Sequence, residues 1–267
     1  MASQVFAGTY FLLKSIIRKK ESTNEGIVQL TWKGWPSKKL LKNFATMAGT
    51  VGLRSISAMS GYSLMTKVAS SMGSLSLAAH QVTLQVWWLL SFLVEPTTAA
   101  AQSLVARDLR NKPWRVTKLI RILFGASLAV GCVVAMLTGL ILSVPWCSSF
   151  IVADKAVQSI LFSVALPAAV SQIFCAISYT ADSVAVGCGE FWYSPINQTI
   201  AFFVLTAALQ VMKRFYVGLP AVWIPLVYGM ISRCACHLSV SRSIRKHLLT
   251  FGTKQKSTNR QLANGGA

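Results

Sequence analysis

Acidic residues are scarce in this sequence, whose 267 residues include only seven Asp and Glu against 26 Lys and Arg. Charged residues of both signs make up 12% of the chain and apolar residues 54%, and the mean hydropathy is +0.54. Because soluble domains carry about 25% charged residues, this composition is typical of an integral membrane protein. We therefore predict that the lipid bilayer is a partner of the chain.

The sequence also lacks the motifs of the common catalytic and metal sites. The six cysteines show no C-x-x-C spacing, the three histidines are too far apart to form a ligand pair on one helix, and no G-x-S-x-G, Walker or H-E-x-x-H motif occurs. We therefore predict no enzyme activity, no catalytic residue, no metal site and no disulfide framework.

Six apolar runs reach or approach the roughly 20 residues that cross about 30 Å of hydrocarbon. They lie near residues 44–68, 77–103, 122–144, 158–187, 196–212 and 217–240. None alternates with a period of two, and only helices or closed barrels satisfy the backbone in lipid. The sequence therefore predicts an all-α, polytopic membrane protein with a six-helix transmembrane bundle over residues 44–240.

The net charge of +19 does not indicate a nucleic-acid partner, because the basic residues follow a membrane topology. Residues 14–42 hold eight of them, the loop at 105–121 holds six and the C-terminal end adds seven, whereas the intervening loops hold only Lys155, Lys213 and Arg214. By the positive-inside rule, the basic segments face the cytoplasm or its organellar equivalent. Six crossings return the chain to that side, as this assignment requires.

The two ends of the chain have a different character. Residues 1–17 are apolar but too short to span comfortably, and they resemble the last part of a helix whose beginning is missing. Residues 18–43 are interpreted as a basic linker, and residues 241–267 as a basic, disordered tail on the cytoplasmic side.

Asp182 and Glu95 are the only carboxylates inside the long apolar runs. An ionisable group at membrane depth is costly, and it is usually retained because it binds an ion, a proton or a partner charge. Burial in a low dielectric favours the neutral form of a carboxyl group, so such a group can exchange protons as its exposure changes. Glu95 also precedes Pro96, which we expect to kink the helix and open a pocket. Both carboxylates are candidate ion-coupling residues, although a polar helix end is an alternative for each.

Other polar residues share these runs. Arg54 lies about ten residues into its span, close to the bilayer midplane, and we expect Asp182 or Glu95 to be its partner unless it snorkels to the surface. Gln81, Gln85 and Gln102 lie on the same predicted helix as Glu95. We expect these glutamines, with Arg54, to line a substrate cavity.

Four segments resemble one known family of membrane proteins. They are SLAAHQVTLQVW at 76–87, the segment from Glu-Pro to Ala-Gln-Ser at 95–103, DSVAVGCGE at 182–190 and GLPAVWIPL at 218–226. In this order, over about residues 1–246, they are similar to the C-terminal half of multidrug and toxic compound extrusion (MATE) transporters. The resemblance is to the plant and algal branch of that family.

The resemblance implies a twelve-helix transporter made of two six-helix lobes, of which this chain matches the second. Residues 1–17 would then be the end of the sixth helix, and because Met1 falls inside it, a fragment or truncated gene model is expected. A missing N-terminal lobe or a second copy of the chain would have to complete the transport path, since alternating access moves one bundle against the other.

The resemblance also implies the activity. The chain, or the protein of which it is part, would export small organic ions, metabolites or xenobiotics in exchange for protons or sodium, with no other cofactor. Asp182 stands at the family's acidic position and would be the principal coupling carboxylate, with Glu95 in support. The expected location is the plasma membrane or an organellar membrane of the plastid or vacuole.

Two alternatives remain open from the sequence. The partial segment 1–17 plus six spans would also fit a seven-helix receptor or channel, although no extracellular cysteine pair or filter-like loop supports it. A lipid-linked polysaccharide flippase of related architecture is the other alternative. It should have a cationic cavity for phosphates, whereas the charges within the predicted spans are mainly acidic apart from Arg54.

Overall fold

The structure is a computed structural model that describes residues 37–111, 113–215 and 218–236. Within these ranges all regular structure is helical, which confirms the all-α prediction. Eight α-helices are present in the described residues, with one 3-10 turn at Phe92–Val94. They are α1 (Lys38–Ser70), α2 (Ser74–Ser91), α3 (Glu95–Asn111), α4 (Pro113–Ser143), α5 (Pro145–Ile151), α6 (Lys155–Gly187), α7 (Tyr193–Phe215) and α8 (Pro220–Cys236).

Some sequence predictions fall outside the described residues. These are the partial helix at 1–17, most of the linker at 18–43 and the tail at 241–267. The last part of the linker is described and is already helical, because α1 begins at Lys38.

Four segments are long and apolar enough to cross a membrane, and they coincide with four of the six predicted spans. They are Ser74–Asn111, Trp114–Ser143, Lys155–Gly187 and Tyr193–Phe215. The other two predicted spans correspond to α1, whose 33 residues include several Lys, Ser and Gly, and to α8, which is apolar but only 17 residues long as described. The chain is thus a multi-pass membrane protein, with α1 and α8 as its less apolar or shorter members.

Helix α6 is the centre of the bundle, since α2, α3, α4 and α7 all pack against it. Small residues allow close approach: a Cβ added at Gly131 of α4 would lie 3.0 Å from the Cβ of Ala176. Beside it, the Ser127 hydroxyl donates to the Ala176 carbonyl at 2.8 Å. Small residues and interhelical hydrogen bonds are the usual means of helix association in lipid.

Helices α1 and α8 pack on the same core through side chains. Tyr62 of α1 contacts the Trp88 ring of α2 at 5.4 Å between centroids. Ser57 of α1 lies 3.0 Å from Thr199 of α7. Gly229 of α8 faces α7, where an added Cβ would meet the Ala201 carbonyl at 3.4 Å.

The long segment 74–111 is interrupted at the position where the sequence predicts a kink. α2 ends at Ser91, a 3-10 turn covers Phe92–Val94, and α3 begins at Glu95. Pro96 has no N–H for the carbonyl of Phe92, and its ring crowds that carbonyl, so a regular α-helix cannot continue here. The interruption places Glu95 at the first residue of α3.

The predicted loop at 145–157 contains a short helix, α5, with Pro145 at its first position. A proline there fixes a helical φ and its missing N–H is not needed. Asp154 then caps α6, because its carboxylate accepts a 2.8 Å hydrogen bond from the Ala156 N–H.

Candidate functional site

A buried ion pair joins α6 to α8. Nη2 of Arg233 donates to Oδ2 of Asp182 at 2.6 Å, and the two side chains are only 2% and 3% exposed. A charge buried this far from water is tolerated when it is paired and hydrogen-bonded, and removing one partner of such a pair typically costs about 3–5 kcal/mol. The pair therefore ties the two helices together.

A second arginine approaches the same carboxylate oxygen from α1. Nη2 of Arg54 lies 3.8 Å from Oδ2 of Asp182, which is within ion-pair range but too long for a hydrogen bond. The Arg54 side chain is 41% exposed. Both guanidinium groups also contact the ring of Tyr179, at 5.8 Å for Arg54 and 5.4 Å for Arg233, which is within cation–π range.

Helical spacing explains why α6 presents this cluster. Tyr179 and Asp182 are three residues apart and so lie on one face of the helix. The hydroxyl of Ser178, the residue before Tyr179, lies 3.2 Å from the Cys234 sulfur of α8. The Nδ2 of Asn197, on α7, donates weakly to the Arg233 carbonyl at 3.4 Å. α8 is thus held beside Asp182 by several contacts.

A cavity of about 310 Å³ lies against this ion cluster. Its charged lining residues are Arg54, Arg233 and Glu95, and Gln198 of α7 contributes an amide. Asp182 pairs with Arg233 but does not line the cavity itself. The volume falls at the lower end of the range for small-molecule pockets, about 300–1,000 Å³.

Aromatic rings form much of the remaining wall. Tyr62, Trp87, Trp88, Phe92 and Tyr179 all line the cavity. Trp88 and Phe92 are exposed, so the cavity is open on that side. Such a wall presents flat apolar surface beside the guanidinium groups.

Three of the sequence candidates are thus brought to one place. Arg54 meets Asp182, one of its two predicted partners, and Arg54 and Glu95 line the same cavity. The Glu95 side chain is exposed and accepts a long 3.4 Å hydrogen bond from the Thr98 hydroxyl. No cation lies within 4.0 Å of Glu95 among the residues that the structure describes.

The three glutamines do not line this cavity. Gln81 and Gln102 lie six and seven residues from Trp87 and Glu95, so about 9–11 Å separates them along the helix axis. Gln85 lies three residues before Trp88, about 4.5 Å along the axis of α2, and its exposed side chain is not part of the lining. Lying on the same predicted helix as Glu95 therefore did not show whether a glutamine side chain lines the cavity.

Sequence reasoning missed Arg233 and Gln198. Arg233 is one of the seven basic residues assigned to the C-terminal end, although it lies inside the apolar run 217–240. The signal that would have found it is the one used for Arg54, a lone cation within a predicted span. Gln198 had no comparable signal, since an amide in a span also fits ordinary helix packing.

The comparisons with known proteins agree with this architecture. The chain is 25% identical over 226 residues to Protein DETOXIFICATION 44, chloroplastic, of Arabidopsis thaliana, covering 84% of the chain and 42% of that protein. It is 23% identical over 186 residues to Protein DETOXIFICATION 45, chloroplastic, of the same plant, covering 69% and 32%. No protein-family profile matches the sequence.

Solved structures give the same result for the fold. A MATE transporter in the straight conformation superposes with a TM-score of 0.77 at 16% identity, covering 92% of this chain and 55% of that one. The Vibrio cholerae MATE transporter VcmN in its bent form gives 0.71 at 18% identity, covering 83% and 50%.

The chain has the fold of one half of a MATE transporter, and the predicted resemblance to a plant-like branch of these proteins is confirmed. It spans less than half the length of the curated relatives it matches, and about half that of the solved transporters. Its similarity is to transporters and not to enzymes.

Proposed function

We propose that this chain forms one half of a secondary antiporter that exports small organic ions, metabolites or xenobiotics in exchange for protons or sodium. The observation that carries this proposal is the ion cluster of Asp182, Arg233 and Arg54 beside an open cavity in the bundle. Charges inside a membrane bundle are expensive, and they commonly mark ion and substrate paths.

The two carboxylates would have different tasks in this mechanism. A proton or sodium ion that binds Asp182 must compete with Arg233 and Arg54, so binding would loosen the contacts among α1, α6 and α8. That is a physical link between ion occupancy and helix packing. Glu95 lines the cavity, and none of the described basic side chains lies within 4.0 Å of it, so it would support capture of the ion.

The complete path would require a second six-helix half, in the same polypeptide or as a second copy of this chain. The related transporters are about twice the length of the region matched here. In secondary transporters built from two repeats, the substrate site lies between the repeats and one moves against the other. The edge of the cavity at Trp88 and Phe92 is exposed, as expected for a surface that a second half would cover.

For the location, we propose a plastid membrane among the membranes predicted from the sequence. The curated relatives carry the word chloroplastic in their names. The plasma membrane and the vacuole are the alternatives, and imaging of a tagged full-length protein distinguishes them.

A flippase is the second candidate, because one sequence argument against it was wrong. The charges within the predicted spans are not mainly acidic apart from Arg54, since Arg233 is also buried there and lines the cavity. Two arginines would suit a phosphate-bearing substrate. Efflux of small organic solutes, compared with translocation of a lipid-linked oligosaccharide in the same vesicles, separates these functions.

The test uses proteoliposomes with imposed pH or sodium gradients. We expect gradient-driven movement of an organic solute when the chain is reconstituted with its second half, and little movement with the chain alone. If neither gradient drives transport in any arrangement, the antiporter proposal is wrong. Robust transport by the chain alone would favour an assembly of two copies.

A further inference from the structure

We infer that the cavity selects an organic anion that carries a flat aromatic group, with Arg54 as the residue that binds the anionic end. This inference rests on the proposed transport function and specifies its substrate class. It goes beyond that function because an exporter of this architecture is equally compatible with organic cations or neutral metabolites.

The two arginines are not equally available to a ligand. Arg233 donates to Asp182 at 2.6 Å and its side chain is 2% exposed, whereas Arg54 lies 3.8 Å from the same carboxylate with a side chain that is 41% exposed. A guanidinium group has five N–H donors and suits bidentate binding of a carboxylate. Among the described residues no acceptor lies within hydrogen-bond distance of Arg54, so its donors are available to a ligand.

The Asp182 carboxylate near Arg54 already has a closer partner, Arg233. Asp182 is held by Arg233, which is bound closer to it, and so a ligand anion can take over Arg54 without leaving Asp182 unpaired. Truncation of a buried pair would be costly, but exchange of the weaker of two partners is not. Arg54 is therefore the charge that can change partner.

The charges at this end of the cavity favour an anion over an organic cation. Two guanidinium groups lie within 6 Å of the Tyr179 ring, and only that of Arg233 is hydrogen-bonded to Asp182, so a cation placed there would be repelled mainly by Arg54. Glu95 is the one carboxylate among the described lining residues, and it lies more than 4.0 Å from the Arg54 guanidinium group.

The aromatic wall of the cavity would contact the apolar end of the ligand. The Tyr62 ring stands edge-on to Trp88 and tilted against Trp87, at 5.4 Å and 6.0 Å between centroids. These rings line the cavity together with Phe92. Offset and edge-to-face contacts between rings contribute about 0.5–1.5 kcal/mol each beyond burial. A cavity of 310 Å³ accommodates one or two fused rings with a carboxylate.

The experiment measures equilibrium binding without any gradient, by calorimetry on the full chain in detergent. The probes are 2-naphthoate, the matched cation naphthalene-2-methylamine and the neutral naphthalene-2-methanol. We expect naphthoate to bind roughly tenfold or more tightly than either of the others, because it gains a charge-assisted hydrogen bond to Arg54.

Substitutions test whether Arg54 is the residue responsible for the preference for naphthoate. R54Q should remove the preference for naphthoate, and R54K should retain part of it because a lysine keeps the charge without the planar fork. R107Q is the control, since Arg107 is 62% exposed and pairs with Asp108 away from the cavity; it removes the same charge and should keep the preference.

Two results would overturn the inference: equal or tighter binding of the amine, or unchanged naphthoate binding in R54Q. Failure to bind any probe would overturn it as well. These outcomes differ from failure of the proposed function, which would show naphthoate binding to the chain but no gradient-driven transport in the complete assembly.

Discussion

Asp182 and Glu95 are the two carboxylates within the apolar runs, and the structure gives them opposite surroundings. Asp182 is 3% exposed and lies between two arginines from two other helices. Glu95 is exposed at the first residue of α3, and its hydrogen bond within the structure comes from its own helix, from Thr98.

A carboxylate in an apolar run can therefore have one of two kinds of role. Asp182 contributes to holding α1, α6 and α8 together, and any coupling role must operate through that packing. Glu95 contacts the cavity without supporting the fold. Substitutions that remove one charge each therefore separate structure from function.

The largest expected effect is that of D182N. An asparagine keeps the shape of Asp182 but leaves Arg233 buried without its counter-charge, which we expect to lower the free energy of unfolding by about 3–5 kcal/mol. Chemical unfolding in detergent micelles measures this loss. The double variant D182N/R233M should recover much of it because no fully buried charge is left unpaired; Arg54 is 41% exposed. Normal stability of D182N would mean that the ion pair contributes little to the fold.

A smaller effect is expected from G187A, which tests how the helices of the two carboxylates are held together. A Cβ at Gly187 of α6 would lie 2.9 Å from the Gln102 carbonyl of α3. The two helices must separate slightly, at a cost of about 1–3 kcal/mol. G125A on α4 is the control, because a Cβ there meets nothing within 4 Å among the described residues. Equal unfolding midpoints for the two variants would contradict this contact.

E95Q should change stability by less than about 0.5 kcal/mol, as is usual for an exposed residue away from buried networks. In the proposed antiporter, with both halves present, we expect it to weaken the dependence of transport on the ion gradient, but less than D182N does per folded molecule. Gradient-driven uptake by proteoliposomes at several pH and sodium values measures both. If E95Q abolishes coupling while a folded D182N retains it, the assigned order of the two carboxylates is reversed.

The smallest effect on stability is expected from single cysteines at the two membrane faces. R115C and K155C lie at exposed positions near the beginnings of α4 and α6. The positive-inside rule predicts that a membrane-impermeant thiol reagent labels them from opposite sides. A background without the six native cysteines is needed. Labelling of both positions from one side would contradict the predicted topology.

Much of the architecture could be predicted from the sequence. The apolar runs predicted the four membrane-capable segments, because length and hydropathy are local properties. Pro96 predicted the interruption before Glu95 for an equally local reason, the missing N–H. The short helix α5 was missed because seven residues between two spans produce no clear hydrophobic period.

Hydropathy along the sequence was sufficient to define an α-helical membrane protein, and it drew attention to Asp182 and Arg54 but not to Arg233. Helix packing set the pairing of Asp182 with Arg233, 51 residues along the chain, and left Arg54 as the more distant partner. It also decided that three glutamines lie away from the cavity. The physical reason is that hydropathy sets which segments enter lipid, whereas the rotation and offset of packed helices set which side chains meet.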